Sequence, residues 1–171
     1  TRFYQRKVAS NKRKKVWWVI NYMDKHIEKY SREYGIPAAL IRAIISVESG
    51  RDNYAIRYEP YYQWLYQPEY YAKKHYITVS TETMAQKTSW GPMQVMGAVA
   101  RELGFDGRFL SELTDPDVGI KYGTMHLKNQ YNRYNDWTDA IAAYNAGSAR
   151  KKDDGKYVNQ IYVDKVLKNW R

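Results

Sequence analysis

Apolar residues that recur every three or four positions and then stop at a glycine punctuate this chain, and that pattern restricts it to a largely helical architecture. Ile36, Leu40, Ala43, Ile44 and Val47 form one such stripe, ended by Gly50, with Pro37 suited to its first turn. Before it, Val16, Ile20, Met23, Ile27, Tyr30 and Tyr34 predict an amphipathic helix running to Gly35. Met96, Val99, Ala100 and Leu103 predict a helix stopped by Gly104. Asp115-Pro116 reads as an N-cap with proline at the first helical position, launching a stripe of Ile120, Gly123, Leu127, Tyr131 and Tyr134. Thr138 is placed to cap a helix from Ala140 to Ala146 that Gly147 ends. After a charged turn from Arg150 to Lys156, a last helix carries Val158, Ile161, Tyr162, Lys165 and Val166.

Between residues 52 and 80 the helical period is lost, and Tyr, Ile, Val and Thr predict short strands or irregular chain, with a helix at 68–75. The expected fold is therefore mainly α, a single helical domain with a small β or irregular lobe around residues 52–80. Residues 1–35 are expected to form a basic N-terminal segment and bracing helix, and 36–171 the principal unit, one compact body of a size that buries a core without staples.

With no cysteine there is no disulfide framework, zinc-thiolate site or thiol nucleophile. His26, His75 and His126 are widely separated and form no ligand pattern, so neither a metal nor a cofactor is expected. The formal net charge of +10 favours polyanionic partners. Arg2, Arg6, Lys7, Lys12, Arg13, Lys14 and Lys15 concentrate that charge at the start, a cue for a membrane surface, an anionic polymer or nucleic acid, or simply a solvated tail. No P-loop, zinc-finger spacing or RNP-type motif supports specific nucleic-acid binding. The run Val16 to Ile20 is too short to span a bilayer, and no signal peptide is read in this segment.

Glu48 stands one residue before the end of its helix, beside Ser49 and Gly50. The negative end of the helix dipole and the neighbouring apolar surface both disfavour its ionisation, so a raised pKa is expected there, suited to a proton donor at neutral pH. Aromatic residues make up 16% of the chain, with 18 Tyr and 6 Trp against 3 Phe. Rings with a polar edge stack on sugars while hydrogen-bonding them, and they also build cores. Tyr58, Tyr61, Tyr62, Trp64, Tyr66, Tyr70, Tyr71 and Tyr76 exceed what a small core absorbs, and some are expected to line a saccharide groove.

Three segments in order, Ile45-Ser46-Val47-Glu48-Ser49-Gly50, Ser89-Trp90-Gly91-Pro92-Met93-Gln94 and Ala142-Ala143-Tyr144-Asn145-Ala146-Gly147, resemble the motifs of the soluble lytic transglycosylase catalytic domain of the lysozyme-like superfamily. Tyr162-Val163-Asp164-Lys165-Val166-Leu167 is similar to that family's terminal helix, and the resemblance covers roughly residues 32–169. Pro92 replaces the more usual Leu, and forty residues separate Glu48 from Ser89, more than in compact members. Within that insertion, Arg57-Tyr58-Glu59-Pro60-Tyr61-Tyr62 is similar to a segment of some phage and bacterial muramidases.

The resemblance implies cleavage of the β-1,4 bond between N-acetylmuramic acid and N-acetylglucosamine in peptidoglycan, with Glu48 as acid then base and a 1,6-anhydromuramic acid product. Tyr144 is implied to place its hydroxyl near Glu48 or the substrate acetamido group. Ser89, Gln94, Asn145 and Tyr162 are implied to contact substrate, Met93 to wall the sugar ring, and Gly91 to allow close approach of backbone to the cleft. Glu59 is the possible second carboxylate; Asp52 more simply tops a turn. The same fold also houses hydrolytic muramidases, and a non-catalytic wall- or nucleic-acid-binding module is the reading from another class. The expected setting is the bacterial wall, in the periplasm or at the extracellular face, with a monomer acting on glycan strands and a phage lysin as one possible source.

Overall fold

The computed structural model describes residues 22–171. The basic cluster from Arg2 to Lys15, and Val16 and Ile20 of the expected stripe, lie outside the described residues. Helix α1 (residues 22–34) buries Met23, Ile27 and Tyr30 in the core, as its period predicts. It is pinned to the start of α6 (Pro116–Tyr134), where Asp117 Oδ1 accepts from Tyr30 and Lys29 at 2.7 and 3.0 Å and lies 2.8 Å from His26 Nδ1.

Helix α2 (Ala38–Ser49) follows, and buries Leu40, Ile41, Ala43, Ile44 and Ile45. Pro37 is its N-cap, one position earlier than expected, and Gly50 closes it in the left-handed region. A three-stranded antiparallel sheet, in the order β1 (Ile56–Tyr58), β2 (Thr88–Trp90), β3 (Val95–Met96), lies at its C-terminal end. Two of the three strands fall beyond residue 80, so the β lobe is built partly from the Ser89–Gln94 motif. Between β1 and β2 stand the expected α3 (Pro68–His75) and an unforeseen α4 (Val79–Gln86). Residues Val79 to Gln86 carry no apolar stripe. Their helix is launched by Thr78, whose hydroxyl accepts from Thr81 N, and anchored by Glu82 and Gln86, both buried.

Helix α5 (Gly97–Glu102) and a 3-10 turn (Leu110–Thr114) lead to α6, which Asp115 caps by accepting from Asp117 N with Pro116 in first position. Helix α7 (Trp137–Ala146) starts three residues earlier than expected. Its cap is Asp136, accepting from Asp139 N, because a carboxylate directly ahead of Trp137 outcompetes Thr138 for the free amides. Helix α8 (Gln160–Trp170) buries Val163 and Val166, whereas Ile161 and Lys165 are exposed and Val158 precedes the helix. With Val158 outside the helix, the expected stripe is out of phase with the buried face. Helices α2 and α8 pack side by side, as do α6 and α7. The architecture is mainly α with a small β lobe. Among the described residues no helix is long and apolar enough to cross a membrane.

The turn between β2 and β3 is where the lobes meet. Gly91 adopts φ +71° there, and a Cβ on it would lie 2.1 Å from the Leu113 carbonyl oxygen. The glycine thus lets the turn approach the 3-10 turn, rather than bringing backbone to the cleft as expected from the motif. Gly91→Ala combines backbone strain with a clash against main chain, and is expected to cost about 2–5 kcal/mol in urea-induced unfolding. A loss below about 1 kcal/mol would show that the turn moves freely.

Candidate active site

Three separate anchors converge on that turn. Ser49, next to Glu48, donates its hydroxyl to the Pro92 carbonyl at 2.8 Å and lies 3.1 Å from Ile45 O, tying the end of α2 to the sheet. The Tyr144 hydroxyl, from α7, donates to the Met93 carbonyl at 2.7 Å. Gln94, itself at φ +49°, donates from Nε2 to Ala55 O and Gly91 O and accepts from the Ser89 hydroxyl at 3.0 Å. Each motif therefore contributes a side chain to the hydrogen bonds that join the end of α2, α7 and the sheet at this turn.

A cleft of about 520 Å3 opens above this junction, within the range of small-molecule sites. Glu48, Ser89, Gln94, Tyr144 and Asn145 line it, together with Arg57, Glu59, Tyr61, Tyr62, Trp64 and His126. A second lobe of about 380 Å3 shares Glu48, Arg57 and Asn145, and adds Asn159, Ile161, Tyr162 and Lys165. Glu48 thus stands where two recesses meet.

Burial pushes the Glu48 carboxyl up to about 6, opposed by a hydrogen bond from Tyr162 and by the nearby Arg57 guanidinium. The Tyr162 hydroxyl donates to Glu48 Oε1 at 2.7 Å. Tyr144, implied to place its hydroxyl near Glu48 or the acetamido group, lines the same cleft and feels the Glu48 charge, but it donates to the Met93 carbonyl, and the hydroxyl that donates to the carboxylate comes from α8. Which ring reaches depends on how α8 packs against α2, and motif order does not encode that register. Met93 is fully buried beneath the turn, its side chain filling the space left by Gly123, so it does not wall the cleft.

Of the eight aromatic residues singled out between 58 and 76, Tyr61, Tyr62 and Trp64 line the cleft. Tyr61 is 90% and Trp64 75% exposed, and Tyr62 meets Trp64 edge to face at 5.4 Å. Tyr71 is buried against Arg101, while Tyr70 and Tyr76 are exposed away from the cleft lining. Glu59 does line the cleft, but its carboxylate is paired with Arg57 Nε at 2.5 Å. Asp52 accepts from Tyr54 N at 2.9 Å, which is the turn role expected of it.

Two cleft residues escaped the sequence reading. His126 lies 4.9 Å from the Tyr144 ring, and desolvation pulls its pKa down to about 4, so it is neutral at neutral pH. Its stripe position one residue before Leu127 gave no hint. Asn159 donates from Nδ2 to Ala142 O and to Asn145 Oδ1, both at 3.0 Å. That contact occupies the Asn145 oxygen as an acceptor, leaving its NH2 as the group available at the junction of the two lobes.

A buried carboxylic acid in an aromatic-walled cleft, carried by a helical domain with a small sheet, defines the lysozyme-like class of glycan-cleaving domain. Residues 25–164 match the family described as "Transglycosylase SLT domain", and the chain belongs to that family. It is also similar to "Protein IpgF" of Shigella sonnei, 26% identical over 140 residues that cover 79% of this chain and 75% of that protein. No solved structure matches. Membership implies, at the level of the family, a glycan-cleaving enzyme of the lytic transglycosylase and lysozyme-like type whose substrate is the peptidoglycan of the bacterial cell wall.

The pH profile gives a test of the Tyr162 contact. Because that hydrogen bond lowers the Glu48 pKa, Tyr162→Phe moves it above 6. If the protonated acid is the active form, the fall of kcat/KM at alkaline pH shifts to higher pH in the variant, alongside a reduced kcat. An unmoved limb would mean that Tyr162 does not tune the acid.

Proposed function

We propose that this domain cleaves the β-1,4 bond between N-acetylmuramic acid and N-acetylglucosamine by transglycosylation, with Glu48 as the one carboxyl that transfers protons. The carboxylic acid protonates the leaving glycosidic oxygen as the C1–O bond breaks. The substrate's acetamido oxygen stabilises the cationic anomeric carbon. Glu48, now ionised, removes the proton of the muramic acid C6 hydroxyl, whose oxygen bonds to C1 and closes the 1,6-anhydro ring. No water is consumed, and the glutamate ends protonated as it began. Tyr162 steadies the ionised form by donating to Oε1. The Asn145 NH2 donates to a substrate carbonyl or hydroxyl. Tyr61, Tyr62 and Trp64 stack along the glycan.

The observation that carries this reading is the desolvated Glu48 at the meeting of two recesses, its pKa raised to about 6. Such an acid keeps a larger protonated fraction at neutral pH than an ordinary glutamate and serves both steps, the same use of an apolar setting that tunes the acid of lysozyme. The high net charge supports retention on anionic wall polymers, although much of the basic cluster lies outside the described residues.

Hydrolysis is the second reading, because Glu59 lines the same cleft as Glu48. Acting as a base toward water would require Glu59 to leave its Arg57 partner. Mass spectrometry of digested peptidoglycan decides between them. Transglycosylation yields anhydromuramic ends lighter by one water than the reducing ends that hydrolysis yields, and reducing ends would overturn the proposal.

A further inference from the structure

Several polar side chains of the aromatic recess are spent on the protein itself. Ser89 donates to Gln94, whose amide hydrogens go to main-chain carbonyls. Tyr144 gives its hydroxyl proton to Met93, and the Asn145 oxygen is taken by Asn159. His126 differs. It lines the recess from α6, its ring tilted 50° against that of Tyr144. Its Nε2 lies 3.4 Å from the Tyr144 carbonyl oxygen. A carbonyl only accepts, so that contact selects the tautomer with hydrogen on Nε2 and leaves Nδ1 with a bare lone pair. Nδ1 has no hydrogen-bond partner among the described residues and is not sealed off from the recess. Because burial holds the ring uncharged, with its pKa down at about 4, the lone pair persists throughout the neutral range. The proton transfers assigned to Glu48 make no use of it.

We propose that His126 is a glycan-binding residue, whose Nδ1 accepts a hydrogen bond from an N–H or O–H of the sugar in the aromatic recess while the Tyr144 carbonyl holds the ring in the tautomer that accepts. This rests on the peptidoglycan reading above and adds a residue to its substrate recognition. Helices α6 and α7 pack side by side, so the His126 acceptor and the Asn145 NH2 donor reach the cleft from adjoining helices. A sugar carries donors and acceptors together and satisfies both. The neutral ring also suits an uncharged ligand, since a carboxylate in its place would have to be stripped of water.

Two substitutions separate the roles of the two nitrogens. Asparagine carries its amide where Nδ1 stands, and the longer glutamine carries its amide where Nε2 stands. His126→Asn therefore keeps an acceptor for the glycan and gives up Tyr144, whereas His126→Gln keeps the Tyr144 contact and gives up the acceptor. In release of soluble fragments from peptidoglycan, His126→Gln loses about tenfold in kcat/KM, the worth of one hydrogen bond, and His126→Asn stays within about threefold of the parent. The reverse order would make His126 a brace for Tyr144 and overturn the proposal. The imidazole nitrogen-15 shifts of Glu48→Gln protein give a second readout. They show the tautomer with hydrogen on Nε2 at neutral pH, and Nδ1 moves upfield when a tetrasaccharide of alternating N-acetylglucosamine and N-acetylmuramic acid binds. Hydrogen on Nδ1, or an Nδ1 signal unmoved by a bound tetrasaccharide, overturns the His126 role and leaves the peptidoglycan reading standing. If the tetrasaccharide does not bind and the unaltered enzyme cleaves no glycan, the functional reading fails and takes the His126 role with it.

Discussion

Glu48→Gln is expected to lower turnover on peptidoglycan by about 10^3-fold or more while making the protein more stable at neutral pH. The second half follows from the same burial that makes the group useful. The carboxyl titrates at about 6 in the fold against an ordinary value of 4.5. Below pH 4.5 it is protonated whether the chain is folded or not, and nothing is lost. Between pH 4.5 and 6 the unfolded chain ionises while the folded carboxyl keeps its proton, and above 6 the folded chain holds a desolvated anion, so folding loses up to ~2 kcal/mol. Glutamine keeps the shape without that penalty. The variant's Tm is expected to rise by roughly 4–8 °C at pH 7.5 and to stay close to the parent's at pH 4. A Tm that falls with activity at pH 7.5 would mean that the ionised glutamate is a structural ligand rather than a strained acid.

The second large effect is expected far from the chemistry. Arg101 is fully buried and uses every arm of its guanidinium. Nε and Nη2 donate to the two Glu82 oxygens at 2.8 and 3.0 Å, and Nη1 donates to the Phe105 and Gly107 carbonyls at 2.9 and 2.8 Å. Tyr71 stacks beneath at 4.4 Å. Arg101→Leu strands Glu82, 1% exposed, with only the Gln86 amide at 3.0 Å, and is expected to destabilise by about 3–5 kcal/mol in urea unfolding. Activity is lost with it, because Gln86 also clamps the main chain of Tyr66, accepting from its N–H and donating to its carbonyl, two residues from the cleft wall at Trp64. Glu82→Leu combined with Arg101→Leu removes the stranded charge and recovers most of the stability. A double variant no better than the single would show that the lost carbonyl contacts, not the bare carboxylate, carry the cost.

That ion pair marks the limit of what the chain discloses by inspection. Glu82 lies in a segment without an apolar stripe, and Arg101, nineteen residues on, stands beside the stripe of α5 and not in it; isolated charged residues read as surface until the fold brings them together. The same holds for α4, whose residues are helical because Thr78 caps them and two buried polar side chains find partners. Glycine stops and the Asp115-Pro116 start were legible, since each is dictated by local backbone geometry. The position of Glu48 near a helix end was legible for that reason too. The exchange of Tyr144 for Tyr162 at the carboxylate was not, because it depends on the register between α2 and α8. Nor was the burial of Met93, which depends on the gap at Gly123 on a distant helix. Local signals set the elements; contacts between elements decided which side chains face the cleft.

The proposed function depends on a single carboxyl whose proton is held by desolvation. Its most direct test is the carbon-13 chemical shift of the Glu48 side-chain carboxyl followed by NMR through a pH titration. A midpoint near 6, displaced upward in Tyr162→Phe, is the predicted result. A midpoint at the ordinary glutamate value of 4.5, unmoved by that substitution, would contradict it.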